Sequence, residues 1–210
     1  MDRPGTARKA RVALAAALAA ATTAVGAPAA SAVPAASPAT SSGGPAVPLV
    51  SRASGCPVPA AGWRTAPTSS PLMTAATVRA VTAGRHACFD RFVVTLRGSA
   101  ARSGFYVGYV GQVTQDGSGH VVPLRGAAKL MVVVRAPAYD SRGRSTYNPR
   151  NRRELVNVAG YRTFRQIAWA GSFEGQTTFG LGVRAKLPFR VFVLKSGTTQ
   201  RLVVDVSHAG

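Results

Sequence analysis

Hydrophobic and polar positions alternate with a period of two through most of the chain after Ala75, and no window carries the spacing of an amphipathic helix. In the run Phe89–Arg97, Phe92, Val94 and Leu96 fall on one face and Arg91, Val93, Thr95 and Arg97 on the other, the pattern of a half-buried strand. The same reading gives a strand at residues 76–82, closed by a turn at Ala83-Gly84-Arg85, and another at 104–110 with Phe105, Val107 and Tyr109 inward. Residues 129–135 follow with Leu130, Val132 and Val134 on one face, and Pro137 ends them. Residues 162–170 place Ile167 and Trp169 together, and Gln176–Val183 place Thr177, Phe179, Leu181 and Val183 together. Residues 189–194 are apolar on both faces apart from Arg190, which predicts a central strand covered from both sides. Residues 201–206 close the series with Leu202, Val204 and Val206 inward. Residues 115–119 are a glycine-rich turn, and residues 139–153 make the longest loop. Eight or nine short, mainly antiparallel strands at this spacing predict an all-β domain, a sandwich in preference to a barrel.

Five ordered blocks run through this β region. They are Gly84-Arg85-His86 with Phe89-Asp90-Arg91, Asp116-Gly117-Ser118-Gly119 with Val122-Pro123-Leu124, Gly171-Ser172-Phe173-Glu174-Gly175, Pro188-Phe189-Arg190-Val191-Phe192, and Arg201-Leu202-Val203-Val204-Asp205-Val206. Together, over residues 73–207, they resemble the AMIN-like domain of secreted proteins and lipoproteins of high-GC Gram-positive bacteria. The resemblance implies a β-sandwich, export, and distant similarity to AMIN domains, which target cell-wall amidases and secretion components to the envelope by contacting peptidoglycan. It implies no catalytic residues. The chain departs from the lipoprotein members in lacking a lipobox, which puts membrane anchoring in doubt.

The front of the chain has a different composition. Arg3, Arg8, Lys9 and Arg11 precede an uncharged run of h-region length from Val12 to Val25, and Ala30-Ser31-Ala32 supplies the small residues of a cleavage site. Residues 1–32 are therefore predicted to be a signal peptide cleaved after Ala32; a transmembrane anchor would need about 20 apolar residues, more than this run holds. Residues 33–72, dominated by Ala, Pro, Ser, Thr and Gly, are predicted to be a spacer with too little apolar surface to fold alone. In an oxidising compartment the two cysteines, Cys56 and Cys88, are expected to pair and pin the spacer's end to the domain. Cys56 lies too far beyond the apolar run to carry a lipid. The cysteines and the three histidines have no metal-ligand spacing, and no cofactor is implied.

Charge adds a direction. Lys plus Arg number 26 against 7 Asp plus Glu, a net +19, and loss of residues 1–32 leaves 22 against 6, or +16. Such an excess attracts polyanions: outside a cell, phosphate-bearing wall polymers, anionic head groups or free nucleic acid, with no motif for a specific nucleic acid. It is equally the mark of an arginine-rich composition with solvated strand faces. Two candidate ligand-binding surfaces stand out. Arg162, Arg165 and Trp169, with Glu174 beyond them, would set guanidinium groups beside an exposed indole, although Trp169 reads equally as core. Tyr139, Asp140, Arg142, Arg144 and Tyr147 mix aromatic and charged groups on the long loop. Asp90 reads as a turn cap or an arginine's partner, and Asp205 as an outer-face carboxylate against Arg190 or Arg201. The scattered carboxylates form no hydrolase motif, and Ser118 sits in a turn and not a nucleophile elbow. The reading that results is a secreted, noncatalytic module that binds peptidoglycan or an anionic wall polymer. An envelope hydrolase with a carboxylate pair, or a protein-protein interaction module, are the alternatives.

Overall fold

Eleven strands and no α-helix are present among the residues that the computed structural model describes, 55–57 and 61–210. The predicted signal peptide and residues 33–54 of the predicted spacer lie outside them. One sheet runs in the order β1 (Thr68–Ser70), β4 (Phe105–Val110), β7 (Ala128–Val134), β9 (Gln176–Val183), β8 (Phe164–Phe173). The second runs β10 (Phe189–Ser196), β11 (Thr199–Ser207), β3 (Phe89–Arg97), β2 (Thr77–Arg85), while β5 (Val113–Thr114) and β6 (Val121–Val122) form a separate hairpin. All pairings are antiparallel. The domain is a β-sandwich.

The alternating positions read from the sequence make its core. Phe92, Val94 and Leu96 of β3 and Leu202, Val204 and Val206 of β11 meet Leu130, Val132 and Val134 of β7 and Phe179, Leu181 and Val183 of β9, all buried. Phe92 and Phe179 meet edge-on across the sheets, ring centres 5.5 Å apart. Each such side chain contributes about 1.5–3 kcal/mol on leaving water. Tyr109 of β4 packs edge-on against Phe189, and its hydroxyl donates to the Leu187 carbonyl and accepts from the Leu187 N–H. Burial pushes the Tyr109 phenol up to about 12, against the opposing effect of its bond to Leu187.

The outer face of β9 is buried as well, and here glycine is required by close approach. The β5–β6 hairpin folds back so that Val113 and Val122 cover Ala168 and Ala170 of β8. A Cβ on Gly180 would meet the Leu124 side chain at 2.7 Å, and one on Gly182 would fall on the Arg125 carbonyl oxygen.

Several elements differ from the sequence reading, three of them in ways that bear on the packing. The expected turn at 83–85 is strand: Ala83, Gly84 and Arg85 pair with Phe92, Arg91 and Asp90, and the reversal falls at His86–Cys88, where the His86 N–H reaches the Phe89 carbonyl. A strand, β1, lies inside the stretch read as spacer, because Thr68, Ser69 and Ser70 find a free edge on β4. Finally, β10 is not central but the outermost strand of its sheet, with Leu194 48% exposed. Its second apolar face has a different cover. Arg64 forms a backbone bridge with Phe189, and Trp63 lies over the sheet's outer side. There the Arg190 guanidinium is stacked 4.7 Å from the Trp63 ring centre and 5.2 Å from that of Phe89, while Arg91 lies 5.2 Å from Phe89 and 5.6 Å from Phe192. Asp205, on β11 between them, is fully buried and receives Arg91 in a two-pronged bond at 2.6 and 2.9 Å and Arg190 at 2.8 Å. The hydrogen bond to Asp205 raises the Arg91 pKa, with burial opposing it. Asp205 thus takes the outer-face position and the Arg190 partner expected of it.

Three outcomes follow from this packing. Gly182→Ala forces the backbone at Arg125 to move and lowers stability by about 1–3 kcal/mol, read by urea denaturation. Asp205→Asn leaves two guanidinium groups without their counter-charge and costs about 3 kcal/mol, the low end for an opened buried ion pair because both arginines are partly exposed. Because Tyr109 holds its proton more tightly in the fold than when unfolded, its contribution is complete below about pH 10 and is lost as pH rises through about 12. The melting temperature therefore falls across that window in the wild type, and Tyr109→Phe removes part of the fall.

Candidate binding site

At one end of the sandwich the two sheets are joined by a carboxylate. Asp90 follows the inward alternation of β3 and is fully buried. One of its oxygens accepts the backbone N–H groups of Thr163 and Phe164 at 2.6 and 3.0 Å, and the other faces His208 Nε2 at 3.0 Å. The other ring nitrogen of His208 faces the Ala87 carbonyl, and the Thr163 hydroxyl donates to the Ser207 carbonyl. These bonds hold the chain entering β8 against the ends of β3 and β11. The Cys56–Cys88 disulfide, with Cα atoms 5.2 Å apart, fastens the turn between β2 and β3 from the other side.

Two hollows open beside this joint and share Gly160. The first, about 420 Å³, is lined by Arg85, His86, Ala87, Gly160 and Arg162 over a floor of Asp90 and His208. Arg162, a strand residue in the sequence reading, is an exposed loop residue here because Thr163 and Phe164 are drawn to Asp90. The second, about 440 Å³, includes Arg125, Glu154, Tyr161 and Arg165. Its cations are committed. Arg165 Nη1 donates to the carbonyls of Tyr161, Arg162 and Phe164, and Arg125 pairs with Glu154, whose hydrogen bond raises the Arg125 pKa against the opposing effect of desolvation.

A third hollow brings together residues that the sequence placed on separate surfaces. Trp169, half-buried, stands edge-on to Phe179 and 5.4 Å from the Tyr147 ring; with Tyr139, Ser145, Asn148 and Arg152 it lines a space of about 230 Å³. Burial raises the Tyr147 pKa. Trp169 packs against the core at Phe179 and also lines the hollow. Its backbone N–H bonds the Arg152 carbonyl, so the long loop is hydrogen-bonded along the β8 edge.

The other predicted residues serve local structure. Asp140 accepts from the backbone N–H groups of Arg144 and Arg142 and pairs with the Arg144 side chain. Those bonds, the Arg144 backbone first, hold its pKa below the usual carboxylate range against the effect of desolvation. Arg142 is exposed on that turn. Glu174, at φ 47°, is with Gly175 the tight turn between β8 and β9, where both residues take the left-handed region. Arg162 and Arg165 do not meet Trp169. A guanidinium over an indole does occur in the fold, between Arg190 and the other tryptophan, Trp63, a pair that sequence reasoning missed. It also missed Arg85 and His86 beside Arg162, since residues at the end of β2 and before β8 become neighbours only through the Asp90 joint.

No curated protein and no solved structure matches the chain. The family model of the AMIN-like domain matches residues 76–208, which take in β2 through β11, the Asp90 joint and all three hollows. The match covers more than half of the sequence, and the chain belongs to the AMIN-like domain family.

Proposed function

We propose that the protein is a noncatalytic module that acts outside the cytoplasm and holds a component of the cell envelope, peptidoglycan or an anionic wall polymer. AMIN-like domains are, as a class, noncatalytic and associated with peptidoglycan. The observation that carries the reading here is the hollow of Trp169, Tyr147 and Tyr139. Aromatic rings offer rigid apolar surface to the C–H face of a sugar, and Asn148, Ser145 and Arg152 place polar groups around it for hydroxyl and amide partners. Its size suits one ring of a glycan strand.

The hydrolase alternative needs two carboxylates with oxygens available to substrate and water. Asp90 and Asp205 are buried and fully bonded, Asp140 and Glu154 are paired with arginines, and Asp116 accepts the Thr178 hydroxyl. Glu174 stands in the turn between β8 and β9. The commitments of these groups favour binding over hydrolysis. Among the described residues no helix is long and apolar enough to cross a membrane.

Retention on purified walls, with and without teichoic acid and over a salt series, tests the proposal. The protein is expected on stripped peptidoglycan at low salt, and Asn148→Ala with Arg152→Ala weakens retention severalfold without moving the melting temperature. Absence of retention at low salt on every wall preparation overturns it.

A further inference from the structure

We infer that the hollow between Arg85, His86 and Arg162 is an oxyanion site that takes a phosphoryl group. The proposal rests on the envelope-binding reading for its biological setting, but not on the Trp169 hollow. Arg85 ends β2 in one sheet and Arg162 precedes β8 of the other, and both line the same space of about 420 Å³. Neither has a carboxylate partner among the described residues, unlike Arg91, Arg125, Arg144 and Arg190. Arg85 has only the Tyr161 ring beneath it, at 6.0 Å.

The one carboxylate that lines the hollow, Asp90, is bonded to neither arginine. Both oxygens of Asp90 are taken, by two backbone N–H groups and by His208. The wall above it carries two guanidinium forks against that one carboxylate, with the exposed His86 ring held in place by stacking on Phe89 at 4.4 Å. Planar forks deliver two parallel N–H bonds to a tetrahedral oxyanion, which a single point charge does not.

The site is also built in advance. The Cys56–Cys88 bridge and the bond from His208 N–H to the Cys88 carbonyl brace the turn that carries His86, and the Asp90 joint fixes Thr163 directly after Arg162. The backbone beneath the site is therefore ordered before binding, and what binding has still to order is the two exposed arginine side chains. Gly160, at φ 76°, forms the near rim, where a Cβ would lie 3.4 Å from Arg85 Nη1, so the approach to the guanidinium stays open.

The test titrates the purified protein, by calorimetry at matched ionic strength, with inorganic phosphate, with a soluble glycerol phosphate oligomer and with chloride. A parallel arm measures co-sedimentation with phosphatidylglycerol vesicles. Wild type is expected to prefer the phosphoryl ligands to chloride, and Arg85→Gln with Arg162→Gln to weaken them by about tenfold or more at an unchanged melting temperature. Arg85→Lys with Arg162→Lys keeps the charge and loses the forks, and is expected to recover only part of the affinity. Preference for the oligomer assigns the phosphoryl source to a wall polymer, and preference for vesicles assigns it to a lipid head group. Binding in the Gln variant equal to wild type, or no preference for phosphate over chloride in wild type, overturns the proposal. Retention on stripped peptidoglycan, measured on the same variants, separates the two readings: it is expected to survive loss of the arginines, and its failure in wild type with phosphate binding intact would remove the glycan reading alone.

Discussion

Burying an ionised carboxylate is costly unless its lone pairs are met, and the sandwich puts that requirement to use at Asp90. Its acceptors are filled by groups from outside its own strand: backbone amides leading into β8 and a histidine just beyond β11. Apolar contact between two sheets is non-directional and allows them to slide. A charge that accepts from two fixed N–H groups does not, so the register between sheets is set at this end of the fold. Loop geometry follows from it, including the position of Arg162 and the Gly160 rim that two hollows share.

The molecule handles its other buried carboxylate differently. Asp205 faces outward, is closed over by Arg91 and Arg190, and those guanidinium groups are covered in turn by Trp63, Phe89 and Phe192. Positive charge there is half met by Asp205 and is capped by rings. Its role is to seal the outer side of β10 and β11 with a segment from before β1. Of the large positive excess, only groups left outside such arrangements are available to a partner, which is why net charge alone locates nothing.

Much of the fold was legible in the residues. The bounds of β3 and β9 coincide with the sequence reading because clean alternation bounded by turn residues has only one register that buries Phe92 and Phe179. By contrast, β10 was read as central because periodicity reports that a face is covered and not what covers it; Trp63 and its arginine do so in place of a further strand. The candidate site was half legible. Trp169, Tyr139 and Tyr147 were each singled out, but their meeting depends on the long loop bonding along β8. Arg162 was named without Arg85, and Asp90 was read as a turn cap or an arginine's partner, because two of its actual partners are main-chain groups with no side-chain signature and the third, His208, lies 118 residues away in the sequence.

The disulfide has a mechanical side. Tension arriving along the residues before Gly55 enters the sandwich at Cys56 and passes directly to Cys88, whose carbonyl is bonded to the last strand's end at His208. The stretch from Trp63 through β1 to β2 lies inside the covalent loop and carries none of that load. A pull from the amino-terminal side therefore cannot peel β1 from β4 or lift Trp63 from Arg190 while the bridge is closed. Reduction would reroute the same force through Trp63 and β1, a three-residue strand at the sheet edge.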